Sequence, residues 1–207
     1  AAGLLLISFS MLSQRRTRAL IALFAWQGAI LTASTTLVAH SAGLPHLYFS
    51  AALTLLLKVA VLPAILLRLI RRLQAQWESE PLINIPTTLL VGLGLVIFAF
   101  GLAQPISALA TTITRNTLGI ALAVILLAFL MMITRRNAVS QVVGFLAMEN
   151  GLFFAATSAT YGMPMVVELG IALDVLVGVF ILGIFFLQIR EQFESLDLHH
   201  LEALKED

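Results

Sequence analysis

Three carboxylates stand in the two most C-terminal apolar segments of the chain, where almost every neighbour is hydrocarbon. Glu149 lies in AVSQVVGFLAMENGLFFAATSAT, and Glu168 and Asp174 lie in PMVVELGIALDVLVGVFILGIFFLQ. An ionisable group at mid-bilayer costs roughly 2.5–3.5 kcal/mol on insertion scales, so it is by default a candidate for handling ions or protons. Glu149 is about ten residues into its segment, roughly 15 Å deep at helical rise. Asp174 is about as far into the next segment, which runs the other way, so the two carboxylates reach similar depth. The connection at 161–163 is short enough to make the two helices neighbours. Gly170, Asp174 and Gly178 share one helix face, and small residues there permit close approach beside the acid. A matched pair of acids on adjacent helices suits a proton relay, because burial favours the protonated form of a carboxyl group. The competing reading is that each acid is simply hydrogen-bonded within the bundle.

Glu168 sits about four residues into its span, near the outer interface. A proton entry or exit there and a carboxylate snorkelling to water both account for it. Lys58 is about eleven residues into an apolar segment, too deep to snorkel easily. Pro63 follows five residues later and removes the hydrogen bond to the Val59 carbonyl. A kink beside a buried Lys suggests a hydrated spot where the lysine acts, and a static ion pair is the alternative. His40 and His46 flank an outer loop, and His199 and His200 are adjacent in the tail. Neighbouring side chains on a helix diverge by about 100°, so the tail pair is no preformed metal site. Arg135-Arg136-Asn137 is an inner-loop turn, and a charge signal for orientation accounts for it. No phosphate loop, nucleophile constellation or metal triad is present, so no catalytic or metal residue is expected.

The elements that must hold these groups are membrane helices. The chain has 207 residues, 60% hydrophobic and 11% charged, with mean hydropathy +1.01. A soluble domain of this size needs more polar surface, so this is an integral membrane protein. The net charge of +1 gives no sign of a nucleic-acid partner. With no Cys, disulfides, thiolate-held iron–sulfur clusters and Cys-ligated zinc have no ligands in this chain.

Seven helical spans are expected, at 1–12 (its start missing), 19–39, 47–67, 86–104, 117–133, 139–160 and 164–187. Pro and Gly mark ends or kinks at Gly43-Leu44-Pro45, Pro81, Pro86, Pro105 and Gly162-Met163-Pro164. The fold class is an all-α polytopic bundle. Arg15, Arg16, Arg18, Arg68, Arg71, Arg72, Arg135, Arg136, Arg190 and Lys205 fall on one side, against Arg115 on the other. The positive-inside rule puts that side in the cytoplasm, with the N-terminus outside and the C-terminus inside. A less apolar stretch, 105–116, divides four N-terminal spans (1–104) from three C-terminal ones (117–187). Residues 188–207 form a charged tail with Leu198, Leu201 and Leu204 at spacing three, an amphipathic helix for the cytoplasmic face or a partner.

The segments RRNAVSQVVGFLAMENGLFFA and VVELGIALDVLVGVFILGIFFLQI, with the ending SLDLHHLEALKED, resemble component E of hydrogenase-4. The resemblance extends to its relatives in group 4 membrane-bound nickel–iron hydrogenase and formate hydrogenlyase-type complexes. It rests on Ala147-Met148-Glu149-Asn150-Gly151, on Val167-Glu168 with Gly170-Ile171-Ala172 and Asp174, and on the Leu-Asp tail. Lys58, Val59 and Pro63 also look like the family. The last three spans in turn resemble the small K subunit of respiratory complex I and the C subunit of Mrp-type sodium/proton antiporters. In that K subunit, membrane glutamates on the second and third helices belong to a central chain of charged groups. Glu149 and Asp174 match them by position, with Asp in place of Glu at the second.

The resemblance implies a non-catalytic subunit of the membrane arm of an oxidoreductase complex in the prokaryotic cytoplasmic (inner) membrane. Taken with the residues themselves, it points to a proton path in which Glu149 and Asp174 carry the proton, Lys58 tunes their charge and Glu168 stands near the outer mouth. It also implies no cofactor in this chain, antiporter-like and quinone-channel-like membrane partners, and hydrogenase or other redox subunits on the cytoplasmic side. A structural subunit docking antiporter-like chains, or part of a sodium/proton antiporter, are the alternatives.

Overall fold

In the computed structural model, residues 1–43, 45–72, 82–109, 115–160, 170, 172–180 and 183 are described. They are helical almost throughout and contain no strand. Helix α1 is Ala2–Ser13 and α2 is Thr17–Ala42. Helix α3, Pro45–Leu55, runs through a π-helical turn, Leu56–Val61, into α4, Leu62–Arg72. Then come α5 (Ile85–Leu109), α6 (Arg115–Thr134) and α7 (Ala138–Thr160). Residues 170 and 172–180 are helical as well.

Five of these stretches are long and apolar enough to cross a membrane: Thr17–His40, Ala51–Arg71, Ile85–Pro105, Thr117–Thr134 and Ala138–Ser158. They coincide with five of the seven expected spans. The first expected span is a helix of 12 residues, short of the roughly 20 that a crossing needs. The seventh is described only in part. Glu168, His199, His200 and the tail 188–207 lie outside the described residues.

Local chemistry sets the helix ends. Gly43 closes α2 with φ 65°, and its N–H reaches the Ala39 carbonyl. A residue without Cβ takes that left-handed cap without strain. Pro45 and Pro86 stand in first turns, where a missing N–H costs nothing. Pro105 does not end its helix: α5 continues to Leu109. It lies so near the end that little more than one helical hydrogen bond is lost, and unwinding earlier would strip apolar surroundings of satisfied backbone. Within spans, hydroxyls bond back to their own helix. Thr32, Thr35 and Thr157 donate to Gly28, Leu31 and Phe153 carbonyls at 2.9, 3.0 and 2.8 Å.

Helices α6 and α7 pack together, α6 also against α5 and α1, and α2 against α7 and the π turn. Two apolar clusters form. One gathers Met11, Phe24, Leu62, Leu127 and Ala147; the other gathers Leu4, Leu31, Val124, Phe153 and Phe154. On α1, α2 and α7 the two clusters are separated along the helix by a polar residue: Ser8, Gln27, and Glu149 with Asn150. The site is that intervening layer.

Arg135 is buried, and its Nη2 donates to the Leu12 carbonyl at 2.8 Å. Leu12 belongs to the last turn of α1, whose carbonyls have no partner inside the helix. Expected only to signal orientation, Arg135 also holds the end of α1 against the α6–α7 turn. Burial lowers its guanidinium from the ordinary value, with Arg15 adding to this, yet an arginine stays charged. Asn137 accepts from Val139 N–H at 2.9 Å and caps α7. The Gln141 amide returns to the Arg135 carbonyl at 3.0 Å, and Leu82 N–H bonds the Thr134 carbonyl at 2.8 Å.

Candidate functional site

Lys58 is the centre of the polar layer. Its Nζ donates to Glu149 Oε2 and, at 2.7 Å, to Asn150 Oδ1. Asp174 Oδ1 lies 3.3 Å from the same nitrogen, an ion-pair contact outside hydrogen-bond geometry. The face of the Phe153 ring adds a cation–π contact, 5.5 Å from Nζ to the centroid. Lys58, Glu149 and Asp174 are at most 3% exposed. Water does not screen these charges, so each depends on its partners.

The backbone explains how a midspan lysine arrives there. In the π turn, Leu62 N–H reaches back to the Leu57 carbonyl, five residues away. Pro63 follows directly and has no N–H to offer. The expected disturbance near Pro63 is thus a widened turn carrying Lys58 itself. Gly28 of α2 faces that turn. A Cβ added to it would lie 2.9 Å from Lys58 Cβ and 3.5 Å from the Lys58 carbonyl oxygen, so only glycine admits the approach.

The face predicted to carry Gly170, Asp174 and Gly178 is a packing face. A Cβ on Gly170 would meet the Phe153 ring at 2.5 Å, and one on Gly178 would sit 3.7 Å from Leu62. Between these contacts Asp174 is delivered to Lys58. Glu149 and Asp174 do converge, with the ammonium held between them. The lysine, assigned a tuning role from sequence, is the hub. His40, flanking the outer loop, lies near Tyr48 Oη at 3.3 Å on an exposed surface and takes no part. Among the described residues no group of His, Asp or Glu could hold a metal ion.

Sequence reasoning missed the neutral members. Asn150 Nδ2 donates to Gln27 Oε1 at 3.1 Å, and Gln27 Nε2 donates to Ser8 Oγ at 2.8 Å. Ser8 in turn donates to the Leu4 carbonyl at 2.8 Å. Gln27 was the available signal: an amide in mid-span needs partners as a charge does. On the other flank, Glu149 Oε1, both Asp174 oxygens and Thr54 Oγ1 are buried without a hydrogen-bond partner among the described residues. Thr54 precedes Lys58 by four residues, about one turn.

Sequence comparison now places the chain. It is 38% identical over 207 residues to the protein named Uncharacterized protein Rv0085 of Mycobacterium tuberculosis, covering 100% of this chain and 94% of that relative. It is 25% identical over 205 residues to hydrogenase-4 component E of Escherichia coli K12, covering 99% of this chain and 95% of the relative. The Shigella flexneri component E matches to the same extent. The chain belongs to the hydrogenase-4 component E family. No family model and no solved structure matches it. Family membership and the apolar helices together make it a multi-pass protein of the bacterial inner membrane. The match spans nearly the whole chain, so it covers every member of the Lys58 cluster, from Ser8 to Asp174.

Proposed function

We propose that the chain is a non-catalytic membrane-arm subunit of a group 4 hydrogenase-like or complex I-like redox complex. We propose further that Glu149 and Asp174 carry protons within it, with Lys58 tuning their charge. The names of the curated relatives support the first part. The second rests on a charge count: two buried carboxylates face one ammonium. With all three ionised the layer bears a net negative charge in a dry interior. Taking up one proton on a carboxyl group removes it. Among the described residues Glu149 Oε1 and the Asp174 oxygens have no hydrogen-bond donor, so they are the atoms that receive the proton. As the proton passes from one acid to the other, Lys58 pairs with whichever is ionised. Glu168, by its place about four residues into the last expected span, would serve the outer mouth of this path.

The last three spans, in their resemblance to the small K subunit of complex I, supply the setting. Soluble redox chemistry lies on other chains at the cytoplasmic side, with antiporter-like and quinone-channel-like subunits in the membrane. Any metals and electron carriers belong to those chains. A docking subunit with fixed charges is the second reading, favoured by the direct seating of Lys58 against both acids.

Glu149→Gln separates the two. Gln keeps size and some hydrogen bonding but cannot titrate. A relay station predicts that the complex assembles and its soluble electron transfer survives, while proton uptake into sealed vesicles, normalised to assembled complex, falls steeply. Unchanged uptake per complex refutes the relay role of Glu149. A loss of assembled complex with unchanged uptake per complex supports the docking reading.

A further inference from the structure

The neutral half of the polar layer has a direction. At its far end stands the Leu4 carbonyl, a group that can only accept. Ser8 must therefore donate to it, which leaves Ser8 Oγ to accept. Gln27 then presents its Nε2 to Ser8, which turns its Oε1 toward α7. Asn150 fills that acceptor with Nδ2, and this aims Oδ1 at Lys58. Each amide orientation follows from the one before. The backbone of α1 thereby dictates that an acceptor, not a donor, faces the lysine.

We propose that Ser8, Gln27 and Asn150 are positioning residues that hold Lys58 as the permanent cation of the site, so that the exchanging proton resides on Glu149 and Asp174. This deepens the proton-carrying reading and rests on it for which groups exchange. Three oxygens surround Nζ: Glu149 Oε2, Asn150 Oδ1 and Asp174 Oδ1. An ammonium donates to the first two and is the ion partner of the third. A neutral amine could still donate twice, but it would give up the charge attraction to Glu149 and Asp174 and turn a lone pair toward an oxygen. The amide chain cannot take the proton onward, because a primary amide has no labile proton to pass at neutral pH. Protons reaching the layer therefore stop short of α1 and leave through the carboxyl groups. Among the described residues the charged groups facing Lys58 are Glu149 from α7 and Asp174 from the helical stretch 172–180. Gly28 of α2 packs against it, and the uncharged Gln27 and Ser8 reach it through Asn150.

The test is an infrared titration of the assembled complex in membranes. It follows the carbonyl stretch of protonated carboxylic acid against pH, assigned by its loss in Glu149→Gln and Asp174→Asn. Asn150→Leu removes a hydrogen bond to the ammonium without adding charge. The ammonium then yields its proton more readily to a carboxylate, so the acid band should persist to higher pH. A hydrogen bond to a charged group is worth about one pH unit or more of midpoint. Gln27→Leu and Ser8→Ala should move the midpoint in the same direction by successively less. Thr157→Val, which removes a buried hydroxyl on α7 that donates to the Phe153 and Phe154 carbonyls of its own helix, should not move it. An unmoved midpoint in Asn150→Leu overturns the proposal. If that variant does not assemble, the sign of the shift in Ser8→Ala, which touches no charged group, decides in the same way. A shifted midpoint alongside unchanged proton uptake in Glu149→Gln upholds the positioning role and fails the relay. Lost uptake alongside an unmoved midpoint does the reverse.

Discussion

At the scale of single residues, the site is an imbalance held by one side chain. Removing the Lys58 ammonium leaves two carboxylates facing each other in a dry layer. Breaking a buried pair costs roughly 3–5 kcal/mol because the remaining charge has no compensation. Lys58→Met should therefore lower the yield of monodisperse protein in detergent size-exclusion chromatography. The loss should be smaller at low pH, where the carboxyl groups take up protons and become neutral. In the native chain an ionised carboxylate is wanted by the lysine, so acid brings no such gain. Adding Glu149→Gln to Lys58→Met should restore much of the yield, since the single remaining acid, Asp174, can be protonated. Equal yields for the single and double variants would show that the three groups are not energetically coupled.

At the scale of elements, the lysine depends on two helices that bring it no charge. Gly28→Ala puts a methyl group 2.9 Å from Lys58 Cβ, so α2 and the π turn must part. Overpacking of this kind costs about 1–3 kcal/mol. Gly94→Ala on α5, where an added Cβ meets nothing within 4 Å, should leave the thermal midpoint almost unchanged. Arg135→Met strips the Leu12 carbonyl of its donor and should cost about 1–3 kcal/mol. Arg136→Met, on an exposed neighbour, removes the same charge from the same loop without that loss. Equal effects from the two arginine variants would mean that orientation alone explains both.

Much of this layout is visible in the residues themselves. Glu149 and Asp174 stand out because, Glu168 apart, nothing else in their segments is charged, and Gly170 and Gly178 mark the face that brings Asp174 inward. Pro63 flags a disturbed turn but not its kind, because kink and π turn both spare the missing N–H. That Lys58 answers both acids depends on how α2 meets the turn at Gly28, and a linear sequence does not encode that meeting legibly. Ser8 and Gln27 escape notice because an uncharged polar residue in an apolar span more often bonds its own helix, as Thr32 and Thr35 do.

At the scale of the whole molecule, the polar layer ties the two halves of the chain together. Residues 1–109 contribute Ser8, Gln27 and Lys58; residues 115–207 contribute Glu149, Asn150 and Asp174. Lipid offers no hydrophobic force between helices, so packing and polar contacts decide which helices associate. Each half alone would carry unpartnered polar groups: an ammonium in one, two carboxylates in the other. Expressed together as separate chains, 1–109 and 115–207 should therefore copurify in mild detergent. The apolar contacts of α6 with α5 and α1 contribute packing to that association, and the charge cluster contributes selectivity. Lys58→Leu in the first fragment removes the partner of both carboxylates but barely alters the apolar surface. It should reduce copurification more than Phe24→Leu, which disturbs only the apolar cluster beside the layer. If the two substitutions weaken association equally, packing alone joins the halves. The buried charges would then be kept for what they do rather than for what they hold.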